Sequence, residues 1–291
     1  MPPTVPVDEM TRETPTMDAT APIIIVGAGR SGTTRLSGAL GEHRDVYMIH
    51  ETSFLLPRLW QTFNERPDYV RVVRLSQLAR ETKEAWRNLP WGAFWQNELG
   101  GDLSALGPLL NEIESSETTR LHRVFGAFLA ETLIPPALRR RCWGFKEIWG
   151  GGDAFPHDWS LYLAAFPSAR FVQSCRHPVD YVRSVFSHLG QTDPDEEQTV
   201  HALGQWVAMV RHARALRGTG RYFEFRMEDF DSALPQILDA LDLAPDPACE
   251  AAARFRYLPS PHRPVPVTAA MIDRAVGLRA LAGELGYDLP S

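Results

Sequence analysis

Apolar residues in this chain fall into short, unbroken, β-branched runs that alternate with longer stretches in which apolar positions recur at helical spacing. Ala21 to Val26 is the first such run. A glycine-rich segment, Gly27 to Thr34, follows it and leads into a helix-compatible stretch from Arg35 to Glu42, giving the order strand, loop, helix. Val46 to Ile49 reads as a second strand, closed by His50-Glu51-Thr52. Glu117 to Leu133 is predicted as a helix that ends before Pro135-Pro136, because proline lacks the N–H that would continue the ladder. Arg141 to Ile148 and Ala169 to Ser174 read as buried strands. Between them lie the Gly150-Gly151-Gly152 loop and a helical segment, Trp159 to Phe166.

The rest of the pattern is similar. A helix opens near Pro178 and passes through Tyr181 and Val185; another, Thr199 to Leu216, carries Trp206 on its apolar face. Tyr222 to Phe225 is a strand, Ala233 to Leu241 a helix, and Ala269 to Leu285 the last helix. Gln191 to Gln198, with four acidic residues and a proline, reads as a solvated loop, and Pro259 to Pro266 as a proline-rich one.

Strands written as continuous apolar runs are covered on both faces, and strands alternating with helices imply parallel pairing. The predicted fold class is therefore α/β, a three-layer α/β/α arrangement around a central parallel sheet. With 291 residues, 44% of them hydrophobic, the chain can bury one sizeable core. A single domain over residues 21 to 291 is expected, with a mostly helical insertion around residues 54 to 140 and a disordered tail over residues 1 to 20. That tail, rich in Pro, Thr, Asp and Glu, lacks the basic start and apolar stretch of a signal peptide.

Charge narrows the range of partners. Thirty basic against 36 acidic side chains leave a net charge of −6, which argues against a broad nucleic-acid surface and confines any anion site to a local pocket. No apolar run approaches the roughly 20 residues that span a bilayer. Cys142, Cys175 and Cys249 lack the spacing of a zinc site or a disulfide framework, so a reducing cytoplasm is the expected location. Oligomeric state has no readable signature.

The segment after the first strand carries the chemistry. Gly27 and Gly32 have the spacing of a phosphate-binding loop, whose backbone N–H groups and helix dipole favour an anion. Thr33 stands where a nucleoside-triphosphate loop has its lysine, and Arg30 is the cation inside the loop. Gly29-Arg30-Ser31-Gly32-Thr33-Thr34 resembles the 5′-phosphosulfate loop of sulfotransferases that use 3′-phosphoadenosine-5′-phosphosulfate (PAPS), in the bacterial and Golgi-type branch. The fold implied is the P-loop-like sulfotransferase fold.

A second, distant segment strengthens the resemblance. Arg170 to Ser184 is similar to the family's 3′-phosphate segment, in which an arginine ends a strand and a serine follows eight residues later; here these are Arg176 and Ser184. An arginine grips a phosphate with parallel N–H bonds, and a hydroxyl about two helical turns on can donate to the same group. Phe225-Arg226-Met227-Glu228-Asp229 resembles a motif whose third position is commonly a tyrosine that contacts adenine, and Met227 stands there instead. Leu285-Gly286-Tyr287 is also common in such enzymes. In place of a glycine-rich loop closing over the 3′ phosphate, Ser260, His262 and Arg263 are the available residues.

The resemblance implies a mechanism. Glu51, in Ile49-His50-Glu51-Thr52, matches a catalytic glutamate, with His50 as the alternative base; Lys146, in Trp143 to Ile148, matches a lysine directed at the sulfuryl group or the bridging oxygen; Arg30 completes the catalytic set. PAPS is the implied co-substrate, PAP the product, and no metal is expected. The acceptor is a hydroxyl or amine of a small molecule, a glycan or a peptide. Trp91, Trp95, His157 and Trp159 are candidates both for lining an acceptor pocket and for core. A P-loop kinase or ATPase and a non-catalytic nucleotide-binding protein are the competing readings.

Overall fold

Ile23 to Ala28, the first strand (β1), is buried along its whole length, and it lies at the centre of a five-stranded sheet in a computed structural model of the chain. The structure describes residues 17–52, 56–57, 118–134, 138–149, 159–254 and 265–291. Four more strands, β2 (Val46–Glu51), β3 (Cys142–Trp149), β4 (Arg170–Cys175) and β5 (Tyr222–Arg226), pair in the order β2-β3-β1-β4-β5. Every pairing is parallel.

Alternate residues of β1 feed opposite faces, as the pleat requires. Ile24 and Val26 join Trp143, Phe145, Phe166 and Phe171 on one face, against α2 (Thr118–Leu133) and α3 (Ser160–Ala165). Ile23 and Ile25 join Leu36, Leu40, Phe225 and Ile237 on the other, against α1 (Thr33–Gly41), α6 (Phe230–Ala240) and α7 (Pro247–Arg254). Trp143, Phe145 and Phe166 meet with ring centroids 5.5 to 5.9 Å apart. A cluster so closely packed makes Phe166→Ala a cavity mutation costing about 3–5 kcal/mol. A third apolar cluster gathers around Trp206 from α4 (Pro178–His188), α5 (Glu196–Arg214), α8 (Ala269–Arg274) and α9 (Leu278–Glu284).

The predicted elements are present with shifted ends, and three of the readings are corrected. The acidic loop ends early: Asp195 accepts from the Gln198 N–H at 2.8 Å while the Gln198 side chain accepts from the Asp195 N–H, a capping box that starts α5 at Glu196. The last helix is two, because Gly277 takes a left-handed φ of 83° at a point where a Cβ would lie 2.0 Å from the Arg211 guanidinium. Helix α7 was not anticipated; Asp246 starts it by accepting from the N–H groups of Ala248 and Cys249 at 2.9 and 3.1 Å.

Of the expected tail, residues 17–20 lie against the molecule, with Met17 and Ala19 packed on the core and the Thr20 carbonyl accepting from Ser168 N–H at 3.2 Å. Most of the 54–140 insertion, the Gly150-Gly151-Gly152 loop, residues 259–264 of the proline-rich loop and residues Trp91, Trp95, His157, Ser260, His262 and Arg263 lie outside the described residues. No helix among the described residues is long and apolar enough to cross a membrane. The three cysteines are free.

Candidate functional site

The chain leaving β1 has to turn from a buried strand into α1 within a few residues, and it does so with positive φ at Gly27 (125°), Arg30 (72°) and Gly32 (84°). For an arginine the left-handed region is unfavourable by about 1–2 kcal/mol. Neighbouring bonds hold it there. Arg176 Nη1 donates to the Arg30 carbonyl at 3.2 Å, the Ser31 N–H donates to the Ala28 carbonyl at 3.3 Å, and the Ser174 hydroxyl, from β4, donates to the Ser31 carbonyl at 2.5 Å. At Gly32 the left-handed backbone angle favours glycine, and a Cβ would lie 2.1 Å from the Met227 sulfur, so that the methionine side chain would have to move aside. Beyond Gly32 the first N–H groups of α1 have no acceptor within the helix, and the helix dipole favours an anion there.

Two side chains from neighbouring strands stand at this helix start. Lys146, near the carboxyl end of β3 and only 5% exposed, donates from Nζ to the Thr34 hydroxyl at 3.4 Å. On β2 the register shifts between Ile49 and Glu51, which makes Glu51, and not His50, the partner of Lys146. Backbone bonding continues past it, the Thr52 N–H reaching the Lys146 carbonyl at 3.4 Å. The Thr52 hydroxyl donates to the fully buried Glu147 carboxylate, which ties the end of β2 to β3. The carboxyl ends of parallel strands are where open α/β sheets bind ligands, and β1 lies between β3 and β4, with the strands that follow it in sequence placed first on one side and then on the other.

A second polar centre adjoins the first. Arg176 follows β4, and His177-Pro178 begins α4 with proline at the first helical position, where its missing N–H costs nothing. Two turns in, the buried Ser184 hydroxyl accepts from Arg30 Nε at 3.3 Å. Burial and the positive charge of Arg176 both push the Arg30 pKa below the ordinary arginine value.

The turn bearing Arg176 is braced from three directions. Trp206 Nε1 donates to the Arg176 carbonyl at 3.0 Å. The Tyr287 hydroxyl lies 2.9 Å from both the Cys175 carbonyl and Glu228 Oε2, and Glu228 Oε1 accepts from the His177 N–H at 2.9 Å. Arg226 Nη1 donates to the Gly286 carbonyl at 2.9 Å, and its guanidinium lies 4.8 Å from the Tyr287 ring centre.

The structure thus brings Gly29, Arg30, Ser31, Gly32, Thr33 and Thr34 into one loop with Lys146 and the Glu51 backbone beside it, and links that loop directly to Arg176 and Ser184. Trp159 belongs to the core: it is 6% exposed and donates to the His212 carbonyl at 2.8 Å. Sequence reasoning missed Ser174, which pins the loop, and the bracing roles of Trp206, Glu228 and Tyr287. The Leu285-Gly286-Tyr287 triplet was the only signal for that brace. Among the described residues no group of three or more His, Cys, Asp or Glu could hold a metal ion.

A parallel sheet of this order, with a glycine-rich loop running from its central strand into a helix N-terminus, defines an α/β protein of the P-loop fold class. The chain belongs to the sulfotransferase family, whose model matches residues 22–247. The fold is also that of the sulfotransferase domain from the Synechococcus PCC 7002 olefin synthase, with a TM-score of 0.55 at 19% identity over 96% of this chain and 98% of that one. The sulfotransferase domain from the curacin biosynthetic pathway gives 0.49 at 16% identity (95% and 100% covered). Sulfotransferase STF9 from Mycobacterium avium gives 0.47 at 15% identity (94% and 79% covered). A comparison with curated proteins returned no significant match.

Proposed function

We propose that this sulfotransferase uses PAPS as donor, transfers its sulfuryl group to a hydroxyl or amine of a small-molecule, carbohydrate or peptide acceptor, and releases PAP in the cytoplasm. One observation carries the reading: two cation–hydroxyl pairs, Lys146 with Thr34 and Arg30 with Ser184, have their hydroxyls on separate helices, α1 and α4, and are joined by the short chain segment from Arg30 to Thr34, with Arg176 donating to the Arg30 carbonyl. A donor with a 5′-phosphosulfate and a 3′-phosphate presents two anions to match them. A nucleoside triphosphate carries its charge in one chain, and Thr33 occupies the place of the lysine that such a chain requires.

In the proposed reaction the acceptor oxygen or nitrogen forms a bond to sulfur as the bond from sulfur to the bridging phosphate oxygen breaks. The electron pair leaves with PAP, and the acceptor proton passes to the Glu51 carboxylate. Lys146 and the first amides of α1 stabilise the charge that builds on the departing phosphate. Arg176 and Ser184 hold the 3′ phosphate and so fix the donor in line with the acceptor. Residues 54–140, between β2 and β3, are the proposed acceptor side.

Titration of the purified protein with PAP, and separately with ATP plus magnesium, tests the donor. Tight PAP binding without metal supports it; a preference for ATP refutes it. Incubation of candidate acceptors with PAPS, followed by mass spectrometry for the gain of one SO3 group, identifies the acceptor.

A further inference from the structure

Arg30 lies within the loop that resembles a 5′-phosphosulfate cradle, yet its side chain does not stay there. Nε donates to Ser184 on α4 at 3.3 Å, and the Arg30 carbonyl accepts from Arg176. Two guanidinium groups and a buried hydroxyl therefore converge between the loop and α4. Among the described residues no carboxylate pairs with either arginine, although the protein pairs Arg214 with Glu224, Arg35 with Asp231 and Arg274 with Glu196 elsewhere. Neighbouring like charges without a counter-ion repel one another, and the partial burial of Arg30 sharpens that cost. An anion bound between them would relieve that repulsion. Meanwhile the cation on the other side, at the α1 N-terminus, is supplied by Lys146 through Thr34.

We infer that Arg30 is a specificity-determining residue for the 3′ phosphate of the donor, working with Arg176 and Ser184, and that Lys146 alone serves the phosphosulfate as side-chain cation. This assignment rests on the PAPS reading and moves Arg30 away from the role that its place in the loop suggests. It has a structural rationale: the loop's amides face the 5′ anion through the backbone, while the left-handed turn at Arg30 sends the side chain across to α4. One residue then links the two halves of the donor. A nucleotide lacking the 3′ phosphate would leave the arginine pair uncompensated and be rejected.

The test compares PAP with adenosine 5′-monophosphate, which differs by the 3′ phosphate alone, on the wild-type protein and on Arg30→Met. Calorimetry should show wild type preferring PAP. The variant should bind PAP about ten- to a hundred-fold more weakly, the worth of one or two charge-assisted hydrogen bonds, with its affinity for the monophosphate unchanged. An equal loss for both ligands returns Arg30 to the phosphosulfate and overturns the assignment, as does no loss for either. A wild-type protein that binds the two ligands alike overturns the PAPS reading itself, and the assignment with it. Should Arg30→Met not fold, Arg30→Lys supplies the same comparison, because a single ammonium cannot reproduce the guanidinium's fork.

Discussion

The Tyr287 hydroxyl donates to the Cys175 carbonyl at 2.9 Å, joining residues 112 positions apart in the sequence. Cys175 immediately precedes Arg176, so the segment after α9 sets the position of an arginine at the end of β4.

Tyr287→Phe removes that bond and keeps the ring against Arg226 and His177. Unfolding in urea should show a loss of about 0.5–1.5 kcal/mol, the net value of one hydrogen bond. PAP affinity should fall with it, while affinity for adenosine 5′-monophosphate holds. A variant that loses stability without any change in PAP binding would show that the brace does not position Arg176.

Glu51 and Lys146 are backbone register partners on β2 and β3, and their variants should separate chemistry from binding. Glu51→Gln is expected to lower kcat by about a hundred- to ten-thousand-fold, as for loss of a general base, with PAP affinity nearly intact. Lys146→Met should lower kcat by about a hundred- to a thousand-fold and weaken PAP by less. Steady-state kinetics alongside calorimetry checks both. Unchanged turnover in Glu51→Gln would shift the base to His50.

Gly32→Ala meets two obstacles, a left-handed φ of 84° and the Met227 sulfur 2.1 Å from the new Cβ. The single variant should lose PAP binding. Adding Met227→Ala removes the clash and leaves the backbone penalty of about 1–2 kcal/mol, so the double variant should recover part of the affinity. Full recovery would mean that the turn tolerates a side chain after all.

Glu224 sets part of the acid sensitivity. Burial raises its pKa, but the bonds from Arg214 at 2.8 and 2.9 Å and from Tyr222 at 2.8 Å outweigh burial and hold it below the usual carboxylate range. A carboxylate lowered in the folded state adds stability above its unfolded pKa of about 4.3 and loses it as pH falls through the folded value. Glu224→Gln should therefore destabilise the protein at neutral pH by about 1.5–3 kcal/mol and flatten the acid limb of a stability–pH curve below about pH 4. An acid limb as steep as wild type would assign the sensitivity to other carboxylates.

The sheet was legible because parallel strands buried on both faces leave a local trace, the unbroken runs at Ile23, Cys142 and Phe171. The loop was legible because its glycines are demanded by backbone angles that other residues avoid. What escaped depends on contacts distant in sequence. No local pattern announces that Gly277 must clear the Arg211 guanidinium, that Trp206 donates to the Arg176 carbonyl, or that Arg30 turns toward Ser184. The start of α5 at Glu196 was different: the Asp195–Gln198 box was readable, but its acidic composition suggested solvent more strongly than a cap.

The central position of β1 bears on when the donor site forms. One neighbour of Ile23 is Gly144 and the other is Arg170, so the glycine-rich loop gains its walls only after strands far along the chain have docked on both sides. Closing such distant pairings is slow compared with forming a helix. Nucleotide affinity should therefore emerge at the end of folding, and a donor present during refolding would trap the finished protein without hastening its assembly.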